Sequence, residues 1–288
     1  MRRILRAARV IARRQAFETL LSPGLYVTLA AGLLLGFFLV AGFTRSVDSS
    51  GFNPRLSPIY DFIDKALAGT FGGAFVAKLF DEGPLALALI VSFLPVFLFL
   101  SISSVFRFGM EKNAGAVELL TYGPADGTAC FLASFLRDAA FAAAALILIG
   151  LFLAAAAAAA NLSVGALFLR SLPIAFFLSA AVFGYGIFFS IVSSNAASAL
   201  SLFLAAFIVF VLLLAGSLSL ASASARVISP AALVLQWLSP FFYGSLCYRA
   251  AEQGNVAAAL GGVGLLIVLA AATLAASHAV VRRRGVRA

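Results

Sequence analysis

Apolar residues gather in six runs, at 25–43, 85–106, 136–160, 170–192, 197–219 and 256–281, and polar residues gather between them and at the two ends. Each run has the length of a helix that crosses a hydrocarbon core about 30 Å thick. A seventh run, "ISPAALVLQWLSPFFYGSLCY" at 228–248, is nearly as apolar. Pro230 and Pro240 each remove a backbone donor there, which is costly in lipid unless protein encloses the freed groups. The pattern therefore predicts six spans and a broken outer hairpin before the last. Trp237, Phe241, Phe242 and Tyr243 are expected at headgroup level.

The polar ends agree with that count. Arg2, Arg3, Arg6, Arg9, Arg13 and Arg14 precede the first run, and Arg282, Arg283, Arg284 and Arg287 follow the last. Basic flanks stay on the cytoplasmic side, so both termini are expected there and the number of crossings must be even. A seventh crossing would strand the C-terminal arginines outside. About 24 residues precede the first run, which is longer than a signal-peptide core, so it reads as a retained span. Within residues 1–20, Arg2, Arg6, Arg9 and Arg13 recur on one helical face, with Ile4, Ala7, Ala8 and Ile11 opposite. That division predicts an interfacial helix along the inner leaflet, its arginines on anionic headgroups. A topology signal with incidental helicity is the plainer alternative.

The first outer loop, about 40 residues long, balances its charges and includes a short surface helix over 59–67. Asp61, Asp64, Asp81 and Glu82 have no His or Cys beside them, so they read as a solvated loop and not a metal site.

Composition sharpens the class. Hydrophobic residues make up 63% of the 288 and charged residues 11%, against about 45–50% apolar and about 25% charged in soluble domains. Mean hydropathy is +1.10. The chain could not cover its surface in water, so an all-α integral membrane protein is expected, built as one transmembrane domain over 1–288. A net charge of +9 might draw nucleic acid, but the excess sits at the two ends and not on a polar domain, so no nucleic-acid partner is expected.

Chemistry inside the spans is sparse. Arg137, Asp138, Arg170 and His278 lie toward span ends, and no Asp, Glu or Lys falls near a midplane, where ion-coupled transporters bury theirs. Arg137 and Asp138 read as a local ion pair near the inner headgroups. Neither H-E-x-x-H nor G-x-S-x-G occurs, and His278 reads as an interfacial polar residue. Cys130 and Cys247 fall at opposite membrane faces, too far apart for a disulfide, and read as buried thiols. No catalytic, metal or cofactor residues are assigned. Gly32 and Gly36 form a G-x-x-x-G in the first span, which serves either a second copy or packing inside one subunit.

One polar stretch remains, "GMEKNAGAVELLTYGPADGT" at 109–128. Its pattern predicts a short cytoplasmic helix over 111–120, with Val117, Leu119 and Leu120 as a small apolar contact, Glu111 and Glu118 as charge, and Gly123-Pro124 as its stop. Such a helix suits docking into a groove on a soluble partner; an ordinary inter-span loop is the alternative. The run "EKNAGAVELLTYGP" resembles the cytoplasmic coupling segment of ABC-2 type permeases, through Glu111, Gly115, Glu118, Leu119, Leu120, Thr121 and Pro124. The resemblance extends along the chain: a basic amphipathic N-terminus, six spans, a long first outer loop, a polar "SSNAAS" turn and a broken outer hairpin. The stretches "GYGIFFSIVSSNAASAL" and "LSPFFYGSLCYRAAEQGNV" are most similar to the gliding-motility and copper-enzyme-maturation exporter group. Gly115-Ala116 stands where that family usually has Gly-Thr, and Gly123 where serine is common.

That resemblance implies an exporter permease of the cytoplasmic membrane, with 109–124 as the segment an ATPase moves. The only lysines are Lys65, Lys78 and Lys112, and no G-x-x-x-x-G-K-[ST] occurs, so ATP and Mg would sit on a separate P-loop ATPase subunit. The chain itself would bind no cofactor and be no enzyme on its own. Its other partners would be a second permease copy or paralogue and the membrane lipids. A non-transporting six-span scaffold or assembly protein is the runner-up.

Overall fold

A computed structural model of the chain describes residues 2–48, 51–53, 56–71, 84–113, 127–222 and 236–284. Six of its helices are long and apolar enough to cross a membrane. They are α2 (Pro23–Ser46), α4 (Pro84–Asn113), α5 (Gly127–Ala159), α6 (Ala166–Val192), α7 (Ala196–Ser222) and α9 (Val256–Arg284). Three further helices, α1 (Arg2–Leu20), α3 (Pro58–Phe71) and α8 (Pro240–Glu252), pack on these six. The protein is an all-α multi-pass membrane protein. Among the described residues the only strand pairing is a two-residue one, Val47 opposite Phe52 and Asp48 opposite Gly51.

Each apolar run falls on one of the six long helices. α5 departs most from its run, starting at Gly127 and not at 136. Its first turns carry Ala129, Cys130, Phe131 and Ala133, all buried against protein, so they are helical for packing and not for lipid.

α4 and α6 form the centre. α4 packs on α2, α5, α6 and α7, and α6 packs on α4, α5, α7, α8 and α9. Leu89, Val96, Leu100 and Val105 of α4 have no exposed surface, and they meet Leu39, Ile149, Leu153 and Phe183 in the main core. Both central helices run through a proline, Pro95 in α4 and Pro173 in α6. Pro95 is half-buried among neighbouring helices, which suits the condition under which a span tolerates a missing backbone bond, whereas Pro173 is exposed.

Two glycines set the tightest seam. A Cβ on Gly32 would run into the Ser92 carbonyl oxygen, and one on Gly36 would lie 2.6 Å from Ser92 Oγ and 2.9 Å from Leu153 Cδ2. The G-x-x-x-G pair therefore packs α2 onto α4 and α5 within this chain. At the α6–α9 seam, a Cβ on Gly184 would meet Thr273 Oγ1.

The loop after the first span is more deeply seated than a surface helix. α3 extends to Phe71, and its Tyr60 is fully buried. The Tyr60 hydroxyl donates to the Leu39 carbonyl at 3.0 Å, and its ring meets Phe43 edge to face. Burial pushes the phenol well above its usual pKa range.

At the same end lies α8, which begins on Pro240 at its first position. Thirteen residues span about 20 Å at 1.5 Å each, short of a crossing. Arg170 Nη1 donates to the Ala251 carbonyl at 2.9 Å and closes its last turn. The headgroup-level expectation needs one correction. Trp237 is exposed, but Tyr243 is buried beside Leu266 and Ala270, and Phe241 packs edge to face on Phe207. A helix that short turns successive aromatic rings to different sides, and those facing α6, α7 and α9 are covered. Residues 228–235 of the hairpin lie outside the described residues.

Candidate functional site

The N-terminal helix is held by small residues. Ala8 of α1 and Ala129 and Ala133 of α5 are fully buried against one another, with Ile11, Ala12 and Leu132 around them. The expected division of α1 holds in part: Arg6, Arg9 and Arg13 are exposed, while Ala8 and Ile11 face inward. The inward face meets α5, however, and not lipid. Arg2 is the first residue of α1.

The same inward face continues into polar residues. Gln15 and Thr19, one turn apart, are buried. Gln15 Nε2 donates to both carboxylate oxygens of Glu111, at 3.1 and 3.2 Å, and Ser134 Oγ donates to Gln15 Oε1 at 3.3 Å. Arg107 Nη1 donates to Thr19 Oγ1 at 2.9 Å. One turn of α1 thus ties the end of α4 to the start of α5.

On its other flank α4 meets the turn between α6 and α7. Lys112 Nζ donates to the Ser193 carbonyl at 2.8 Å, and Ser190 Oγ donates to the Val105 carbonyl at 3.1 Å. A Cβ on Gly109 would lie 2.9 Å from Ala196 Cα, so this crossing is tight. The polar "SSNAAS" turn is itself ordered, with Asn195 Oδ1 accepting the Ser198 backbone N–H at 2.7 Å at the start of α7.

Of the expected coupling residues, Glu111 alone is described. It belongs to the last turn of α4, which runs unbroken from Pro84 to Asn113, and it does not open a separate helix. No glycine or proline stands between Gly109 and Gly115 to stop α4 sooner. Gly115, Glu118, Leu119, Leu120, Thr121 and Pro124 lie outside the described residues.

Arg137 and Asp138 do pair, through Nε to Oδ1 at 2.9 Å and Nη2 to Oδ2 at 3.0 Å. Both side chains are 1% exposed. The pair is enclosed by protein, because α5 carries α1 against its outer surface at this level. Arg137 Nη1 is buried without a partner.

The C-terminus arrives at the same end. His278 Nδ1 and Thr128 Oγ1 are 3.0 Å apart, and Val281 packs with Phe108, Phe131 and Ile187. Both arginine-rich termini therefore flank the end of α4. Cys130 and Cys247 are buried and not joined in a disulfide. Among the described residues no group of three His, Cys, Asp or Glu side chains could hold a metal. The cluster is a junction through which one helix end is fastened to two neighbours.

No family model matches the chain, and no curated protein matches it.

The functional reading rests on the junction and on the polar stretch that α4 leads into. Sequence reasoning missed four of the junction's members: Gln15, Thr19, Arg107 and Ser134. Gln15 and Thr19 left a usable signal, being polar residues four apart on the alanine face of an amphipathic helix. Nothing local marked Ser134 or Arg107, whose partners lie 119 and 88 residues away.

Proposed function

We propose that this protein is the permease subunit of an ATP-driven ABC-2 type exporter, resident in the cytoplasmic membrane with both termini inside. ATP hydrolysis takes place on a separate P-loop ATPase subunit, and two permeases, identical or paralogous, assemble around a translocation path. The observation that carries this reading is the mechanical continuity of α4. The helix that leads into the 109–124 segment is the most buried span of the bundle, and its last turn is fastened through Glu111 to α1 and through Lys112 to the α6–α7 turn. A push on the segment after Asn113 would therefore reach five other helices at once.

Co-purification from native membranes tests the proposal. Glu118→Arg puts a reversed charge into the docking contact, and breaking a buried interfacial charge pair costs about 2–5 kcal/mol. ATPase recovery should fall about tenfold for every 1.4 kcal/mol lost. Gly115→Pro should act alike by breaking the helix that the sequence predicts over 111–120 without changing charge, and Asp64→Arg in the first loop should leave the complex intact. An ATPase retained in full by both inner variants defeats the coupling assignment. A wild-type protein that brings down no ATPase favours a non-transporting scaffold.

A further inference from the structure

Beside the junction, α1 and α5 diverge and leave an open groove of about 410 Å³. Its walls are Arg9 and Arg13 from α1 and Arg137, Ala140, Phe141 and Ala144 from α5. On α5 the wall starts at Leu136 and Arg137 and climbs two turns through Ala140 and Ala144; on α1, Arg9 and Arg13 alternate with Ala12 and Ala16. Beyond the groove the same α5 stripe continues as Ile147 and Leu151, which are 62% and 66% exposed.

The arginine end is built and not merely basic. Arg137 is 2% exposed; two of its nitrogens are engaged by Asp138, while Nη1 is buried without a partner. A buried guanidinium nitrogen left unpaired costs more than an ordinary unmade bond, and such groups in native structures call for an explanation. Arg9 and Arg13 are one helical turn apart and exposed at the mouth. Among the described residues no carboxylate lines the groove. Asp138, the nearest acid, is spent on Arg137.

Depth places this end where a headgroup lies. Counting back from Ala159, the last residue of α5, about 20 residues cross the hydrocarbon. The boundary then falls near Ala140, with Arg137 just outside it and Ala144 and Leu151 within.

We infer that this groove is a binding site for one anionic phospholipid, its phosphate held by Arg9 and Arg13 beside the buried guanidinium of Arg137, and one acyl chain laid along Ala140, Phe141 and Ala144. A soluble anion would use the cationic end alone and leave the apolar wall bare. A neutral lipid would use the wall and leave the guanidinium groups of Arg9 and Arg13 without a counter-charge. The inference does not depend on the exporter reading, since it concerns lipid and not an ATPase.

Native mass spectrometry of the full-length protein tests it, with the protein in neutral detergent exchanged against equal amounts of phosphatidylglycerol and phosphatidylcholine. Wild type should retain one phosphatidylglycerol in strong preference. Arg9→Gln with Arg13→Gln, both at exposed positions, should weaken that preference roughly 30-fold, from about 1 kcal/mol for each basic residue. Arg137→Lys keeps the charge but lacks the guanidinium fork, and should weaken it also. Ala140→Trp fills the groove and should release both lipids. Arg282→Gln with Arg283→Gln removes as much charge elsewhere and should change nothing. The inference fails if that control lowers the preference as much as the groove variants do, since the effect is then charge in general. It fails if inorganic phosphate displaces the lipid, which makes the groove an anion site. It fails too if Ala140→Trp leaves lipid in place and instead dissociates a dimer, which makes the groove an interface between copies.

Discussion

α4 and α7 are about equally apolar over their membrane windows, yet 61% of the α4 window is buried and 17% of the α7 window. The difference lies in what each helix offers at close range. Ser92, Ser101 and Ser104 of α4 are buried, and glycines of its neighbours press against it: Gly32 and Gly36 at Ser92, Gly186 at Ser104 and Val105. α7 presents Leu202, Ile208 and Leu212 outward, and a Cβ on its Gly216 would meet nothing within 4 Å. Lipid tails are as apolar as leucine, so hydrophobicity cannot decide which of two such helices goes to the centre. Small residues and hydroxyls that let backbones approach decide it.

The largest test of that contrast is a matched truncation. Leu100→Ala in α4 empties a site with no exposed surface and should cost about 2–5 kcal/mol. Leu212→Ala in α7, at a side chain 65% exposed, should stay within about 0.5 kcal/mol. Denaturant titration in mild detergent reads both. Equal losses would mean that α7 is covered by a partner in the assembled protein.

A smaller effect is expected from filling the seams. Gly32→Leu forces α2 off the Ser92 carbonyl and should cost about 1–3 kcal/mol, as overpacking does, with a lower yield of monodisperse protein. Gly216→Leu should purify like wild type. A Gly32→Leu protein of native stability that has lost only self-association would return the glycine pair to a role between copies.

The smallest effect concerns α3, which touches both α2 and α7. Tyr60→Phe keeps the ring against Phe43 and removes the hydroxyl from the Leu39 carbonyl. It should cost about 0.5–1.5 kcal/mol, the net worth of one such bond. Proteolysis between α3 and α4 should quicken accordingly. Unchanged stability and cleavage would leave the ring alone as the anchor.

How far the sequence could be read follows from the range of the forces involved. Span existence is local: a run of about 20 apolar residues has few other fates, and all six runs became long helices. Helix ends were less legible, because the start of α5 and the last turn of α4 are helical for contacts made far along the chain. Gly32 and Gly36 announced a close approach, but only the tertiary structure names Ser92 as its target. Adjacent opposite charges announced the Arg137–Asp138 pair; its burial depends on α1, whose apolar face would suit either a lipid surface or a wall of alanines. Tyr243 and Trp237 look alike as interfacial aromatics, but Tyr243 lies within α8 and faces its neighbours, while Trp237 precedes the helix and is exposed.

Glu111 and Lys112 are neighbours in the chain, so their side chains leave α4 about 100° apart, one toward Gln15 of α1 and the other toward the Ser193 carbonyl. A rod pinned from two directions at the same height cannot roll about its own axis without breaking one of the pins. What remains open to the end of α4 is tilt or a lengthwise slide, and in either motion α1 and the α6–α7 turn must travel with it. A force arriving at Asn113 is thereby given a direction before it enters the membrane.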